Sequence, residues 1–132
     1  MHKGEVYFRL SGESFDPDSA TRRLGIEPSR LGRQAEPKPA FSSWIISSGQ
    51  ITSELIDVYD LSKKLVDILA SESNKIATLI AESSLCAVLQ VVLWISTDPE
   101  LSTPAIGFDQ GTVDFLAKVG ASIDVDTYLQ EV

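Results

Sequence analysis

Two carboxylates stand two residues apart in "SIDVDTYL", at Asp124 and Asp126. On an extended strand that spacing aims both side chains the same way, about 6.6–6.8 Å apart along the chain. Carboxylates placed so could work as acid and base, or hold Mg²⁺ or Ca²⁺. The plainer account is the solvent-facing side of a strand. Near the other terminus, "EVYFRLS" sets Glu5, Tyr7 and Arg9 on one face of a strand, while Asp124, Asp126 and Tyr128 share one face of the last. Side by side, those two strands would combine tyrosines, an arginine and carboxylates, with Trp44 joining them. Rigid aromatics flanked by charge are what interfaces favour. Trp94, inside an apolar run, is expected in the core.

The basic residues Arg22, Arg23, Arg30, Arg33 and Lys38 form one cluster, offset by Glu27 and Glu36. It could receive a carboxylate or phosphate, although a solvated helix face and loop explain it more cheaply. The rest of the common chemistry is missing from the sequence. The single histidine, His2, sits at a terminus expected to fray. The single cysteine, Cys86, reads as a small core residue, leaving no internal disulfide and no cysteine metal cluster. No glycine-rich phosphate loop, HExxH or GxSxG occurs. An enzyme is therefore disfavoured, and no cofactor or metal is expected.

The elements that must hold these residues follow from periodicity. Val6, Phe8 and Leu10 alternate with polar residues, which predicts a strand over 5–11. Asp16, Pro17 and Gly25 mark the cap, first residue and stop of a short helix. Residues 27–40, with Pro28, Pro37 and Pro39, read as a long loop. "FSSWIIS" from Phe41 is a second strand. Leu55, Val58, Leu61, Leu65, Ile68 and Leu69 share a helical stripe from Ser53, resumed after "SESN" by Ile76, Leu79 and Ile80. Leu85–Ile95 is apolar on both faces, as a covered central strand would be. "TPAIGF" is a short partner strand. Asp109 and Gly120 bracket a third helix with Val113, Leu116 and Val119 inward, and a last strand carries Ile123, Val125 and Leu129 on one face. The expected fold is a single α+β domain over 1–132, in the order β-α-β-α-β-β-α-β. A mixed sheet of four or five strands carries about three helices mainly on one face. The Asp-capped, Gly-stopped helix occurs twice between strands, so two similar strand–helix–strand units should share the sheet.

At this point the chain resembles a bacterial family catalogued as domain of unknown function 4279. The stretches that carry the likeness are "YFRLSGESFDPDSATRRLGIEPSRLGR", "WIISSG" and "LAKVGASIDVDTYL". They span almost the whole chain in order. The resemblance implies an α/β domain of similar length and no particular reaction. Arg30-Leu31-Gly32-Arg33 looks like the family's Arg/Lys-Gly loop, followed here by an unusual Glu36-Pro37-Lys38-Pro39.

Charge narrows the partners. The formal net charge is −8 over 132 residues, and residues 41–132 hold thirteen Asp/Glu against four Lys/Arg. That balance argues against nucleic acid and anionic membrane surfaces. No apolar run approaches the ~20 residues of a bilayer span, so a cytoplasmic protein is expected. The first functional reading is a non-enzymatic binding protein for an unknown protein or small-molecule ligand, using the sheet face and Arg30/Arg33. Its concrete form is an immunity-type protein that meets a basic toxin by charge complementarity. The alternative is a small carboxylate-dependent hydrolase or metal-dependent enzyme using Asp124 and Asp126. A third is a scaffold that forms a homodimer burying Trp44.

Overall fold

The first strand decides the layout. β1 (His2–Glu13) buries His2, Gly4, Val6, Phe8 and Leu10 on one face, while Lys3, Glu5, Tyr7 and Arg9 stay half-buried on the other. In this computed structural model, which describes residues 1–34 and 41–130, the strands are numbered in chain order. They are β2 (Arg30–Gln34), β3 (Phe41–Ser47), β4 (Ile51–Ser53), β5 (Cys86–Ser96) and β6 (Ser122–Gln130). The sheet order is β2-β3-β1-β5-β6, with β4 pairing the start of β1. All pairings are antiparallel except β5 with β6. The result is a mixed six-stranded α+β sheet rather than one of four or five strands.

The helices are α1 (Pro17–Leu24), α2 (Val58–Leu69), α3 (Ser73–Ser83) and α4 (Gln110–Val119). A 3-10 turn over Ala70–Glu72 joins α2 to α3, so the stripe interrupted at "SESN" is carried by two helices in sequence, and counted as one body with their joint they bring the helical bodies to three. They bury the even face of β1 and the odd face of β5 in one core. Phe8 meets Phe115 of α4 edge-on, with ring centroids 5.8 Å apart. The caps are those expected. Asp16 accepts from the Asp18 N–H, Asp109 accepts from the Thr112 N–H at 2.8 Å, and Gly25 and Gly120 are left-handed at φ 66° and 82°. Both capped helices link strands that run in the same direction. β6 lies directly beside β5, whereas β3 is inserted between β1 and β2.

Several expectations need correction. Residues 30–34 of the presumed loop are an edge strand; polar RLGRQ hides it because an edge strand needs little apolar pattern. The Glu36–Pro39 stretch and Lys38 lie outside the described residues. "TPAIGF" forms no strand: Ala105 makes a single bridge to Asp57, accepting from Val58 N–H and donating to Ile56, which ties this connection to the start of α2. α2 begins at its Asp57 cap rather than near Ser53, and Ser53 lies in β4. Leu55, Ile68 and Val113 are exposed; Val66 and Phe115 are buried. Cys86 is exposed, because it opens β5 on the face that no helix covers. His2 is buried rather than frayed, 1% exposed. Its Nδ1 accepts from the Ser96 N–H at 2.9 Å and its Nε2 donates to the Ser102 carbonyl at 2.7 Å. Both bonds together select the neutral ring with its proton on Nε2.

His2→Ala leaves those two backbone groups without partners, a loss of about 2 kcal/mol. A urea titration is expected to show a lower midpoint at unchanged slope. An unmoved midpoint would mean that solvent reaches both groups.

Candidate functional site

The helices leave the odd-numbered face of β1 uncovered, and cross-strand register assembles that face row by row. Lys3 lies opposite Trp94, which lies opposite Tyr128. The Lys3 ammonium stands 4.6 Å from the Trp94 ring centroid, and Trp94 stacks on Tyr128 at 6.0 Å with 23° between planes. One cation and two aromatic rings thus form a ladder across β1, β5 and β6. The next row is Glu5, Val92 and Asp126; the next is Ser47, Tyr7, Gln90 and Asp124; then come Arg30, Ile45, Arg9 and Val88.

Polar contacts bind the rows together. Arg30 reaches over β3 from the edge to Glu5, 2.8 Å away, and lies 4.9 Å from the Tyr7 ring centroid. Ser47 Oγ donates to the same Glu5 carboxylate. Gln90, almost fully buried, donates through Nε2 to the Asp124 carbonyl and to Asp126 Oδ2, at 3.3 and 3.2 Å. Arg9 makes no salt bridge among the described residues, and its Nε is buried without a partner there.

The expected neighbours are therefore partly reassigned. Tyr7, Arg9, Asp124, Asp126 and Tyr128 do share one face, but β5 separates the first strand from the last. Trp44 does not join them. It is wholly buried on the helix side, where its Nε1–H donates to Thr21 Oγ1 of α1 at 3.0 Å. Trp94 takes the outward role instead, half-buried: the alternation of β5 places Leu93 inward and Trp94 outward, and Gln90, in step with Trp94, is the one polar residue inside the apolar run that marks this phase. A homodimer burying Trp44 is excluded by the same fact. Arg30 and Arg33 part company too. Strand alternation sends Arg33 to the helix side, where it pairs with Asp18 at 2.9 Å, so the two arginines make no common anion site.

Among the described residues, no three of His, Cys, Asp and Glu stand together as metal ligands, and no helix is long and apolar enough to cross a membrane. A recess of about 470 Å³ lies at the opposite end of the sheet, between Ser11–Ser14, Ser83, Ser84 and Cys86. None of the candidate residues lines it.

Residues 2–130 match the model of a family described as "Domain of unknown function (DUF4279)". The chain belongs to that family. No curated protein and no solved structure matches it. For this DUF4279 domain the match covers every described strand and helix, so the uncovered face falls within the family's own extent.

On this face the acidity of Glu5 is shifted from its ordinary value. Partial burial alone would raise its pKa, but the Ser47 hydroxyl and the Arg30 guanidinium outweigh burial and hold it below the usual value. A folded-state pKa below the unfolded one stabilises the fold above the unfolded pKa, and that contribution is lost as pH falls through the folded value. Glu5 is 13% exposed and Arg30 46%, so solvent screening keeps the contribution near 1 kcal/mol. Glu5→Gln is expected to destabilise the domain at neutral pH by about that amount. The gap to wild type should close below the ordinary glutamate pKa of about 4.3. Equal stability of the two proteins at pH 7 would contradict the assignment.

Proposed function

We propose that this DUF4279 domain is a non-enzymatic binding protein and that its partner, a protein or a small molecule, sits on the uncovered sheet face. The observation that carries the reading is the Lys3–Trp94–Tyr128 ladder. Tyr128, 51% exposed, and the half-buried Trp94 face away from the helices on a rigid sheet, next to Arg9 and the Arg30–Glu5–Tyr7 group. Fixed aromatics lose little side-chain entropy on binding, which is why they concentrate the energy of interfaces.

The immunity-type version rests on a different part of the molecule. On the sheet face Lys3, Arg9 and Arg30 are matched by Glu5, Asp124 and Asp126. The acidic surplus lies instead in the connections around the helices, at residues such as Glu54, Asp98 and Glu100, whereas α2, α3 and α4 each carry as many lysines as carboxylates. A basic toxin would be met there, by charge, whereas the sheet face favours a partner with apolar or aromatic groups and mixed charge. A cytoplasmic setting suits either version. A carboxylate-dependent enzyme is the competing reading. The shared direction of Asp124 and Asp126 favours it, and the engagement of Asp126 by Gln90 weighs against it.

Two variants separate these readings in a pull-down from the source cell's lysate. Tyr7→Ala/Arg9→Ala/Tyr128→Ala strips the sheet face, and Glu54→Lys/Glu100→Lys reverses charge in the acidic connections. With both shown to be folded, the expected outcome is a partner retained by the second variant and weakened at least about tenfold for the first, as loss of an interface centre implies. The reverse pattern would transfer the function to the acidic connections. Turnover of a phosphoester or glycoside library abolished by Asp124→Asn would establish the enzyme instead.

A further inference from the structure

The sheet ends on two edges of unlike character. β2 is five residues long and carries two arginines and a glycine, features that discourage another strand from adding. β6 is nine residues long and contains no lysine, proline or glycine. Among the described residues it pairs only with β5.

Its backbone polarity can be read from two contacts. The Gln130 carbonyl accepts from the Thr97 N–H at 3.1 Å, and the Asp124 carbonyl accepts from Gln90, both on the β5 side. Because peptide direction alternates along a strand, the even residues serve β5. Ile123, Val125, Thr127 and Leu129 then turn their N–H and C=O groups outward. The side chains of the same residues lie on the helix side, yet no helix covers them. Ile123 is 40% exposed, Val125 37% and Leu129 80%. One row of residues therefore offers unpaired backbone and uncovered apolar side chains together.

We propose that a second copy of this chain covers this edge, β6 pairing antiparallel with β6 across a two-fold axis at Thr127. Such an axis, perpendicular to the sheet, keeps the two helical layers on the same side and allows few registers. Charge selects among them. An axis at Asp124 or at Asp126 sets that carboxylate against its own copy, and an axis at Val125 sets Asp124 against Asp126 twice over. Like charges directly opposite are destabilising. An axis at Thr127 puts Asp126 opposite the second copy's Tyr128 and Asp124 opposite its Gln130. Val125 then meets the second copy's Leu129 on the helix side, and the outward backbone groups of Val125, Thr127 and Leu129 find partners. The two Asp126 carboxylates become diagonal neighbours only, each already held by Gln90 at 3.2 Å. Axes at Ile123 or Tyr128 shorten the ladder. Neither the axis nor the pairing depends on what occupies the sheet face, so the two proposals stand or fall separately.

Sedimentation equilibrium of the full chain across micromolar concentrations tests this directly. The wild type is expected at twice the chain's 14.4 kDa. Thr127→Pro removes an outward N–H without touching the β5 pairing, which a proline on an edge strand permits, and should give a monomer with its melting transition retained. Val125→Lys/Leu129→Lys should do the same, and stands in for the proline variant if that one unfolds. For the register, Thr127→Cys in a Cys86→Ser background should cross-link under mild oxidation, since hydrogen-bonded partners lie about 5.5 Å apart at Cα. Ser122→Cys should not cross-link. A monomeric wild type overturns the proposal, as does a dimer indifferent to both edge variants. A dimer they break, but which Thr127→Cys does not cross-link, overturns the register.

Discussion

Everything in this fold hangs on the two-sidedness of β1. It has β3 and β4 along one edge and β5 along the other, and its alternation is strict from His2 to Leu10. A shift of one residue against β5 would turn Val6, Phe8 and Leu10 to solvent and bring Glu5, Tyr7 and Arg9 under the helices. The register is therefore fixed by the cost of burying charge, more than by any single hydrogen bond. Once it is set, the position of every outward residue on β3, β5 and β6 follows. The Lys3–Trp94–Tyr128 ladder is a consequence of that alignment, with no need for Trp94 to find its own place.

Packing enforces the same choice on the inner face. A Cβ at Gly4 would lie 3.0 Å from Leu93 Cδ2 and 3.1 Å from Ile56 Cδ1, closer than side chains normally come. That glycine lets β5 and the approach to α2 close over the start of β1. His2, next along the same face, then sits where Ser96 and Ser102 can both reach its ring.

What could be seen in the residues alone divides along physical lines. Caps and stops at Asp16, Gly25, Asp109 and Gly120 are local chemistry, set within four residues, and they were legible. So were the alternation of β1 and the family resemblance that spans the chain. Partners distant in sequence were not. Nothing in "RLGRQ" announces an edge strand, and nothing near His2 announces Ser102, a hundred residues away. The two tryptophans show the limit most clearly. Each stands near the end of an apolar strand beside a short polar stretch, and only the phase of each strand sends Trp44 inward and Trp94 outward. The site was legible in its residue types and in its face, and illegible in its adjacency, because β5 comes between the strands that carry it.

The central place of β1 also has a consequence for synthesis. β1 leaves the ribosome ahead of its neighbours in the sheet, and α1 and β3 can join it soon after. β5 follows roughly eighty residues later, which at ~5–20 residues per second is a delay of several seconds or more. During that interval Val6, Phe8 and Leu10 are only half sheltered, and one long edge of β1 is open. A nascent chain of this design therefore shows more apolar surface and open strand edge, the features that promote aggregation, than the finished domain does. The stability of the mature protein and the hazard of making it thus come from the same strand.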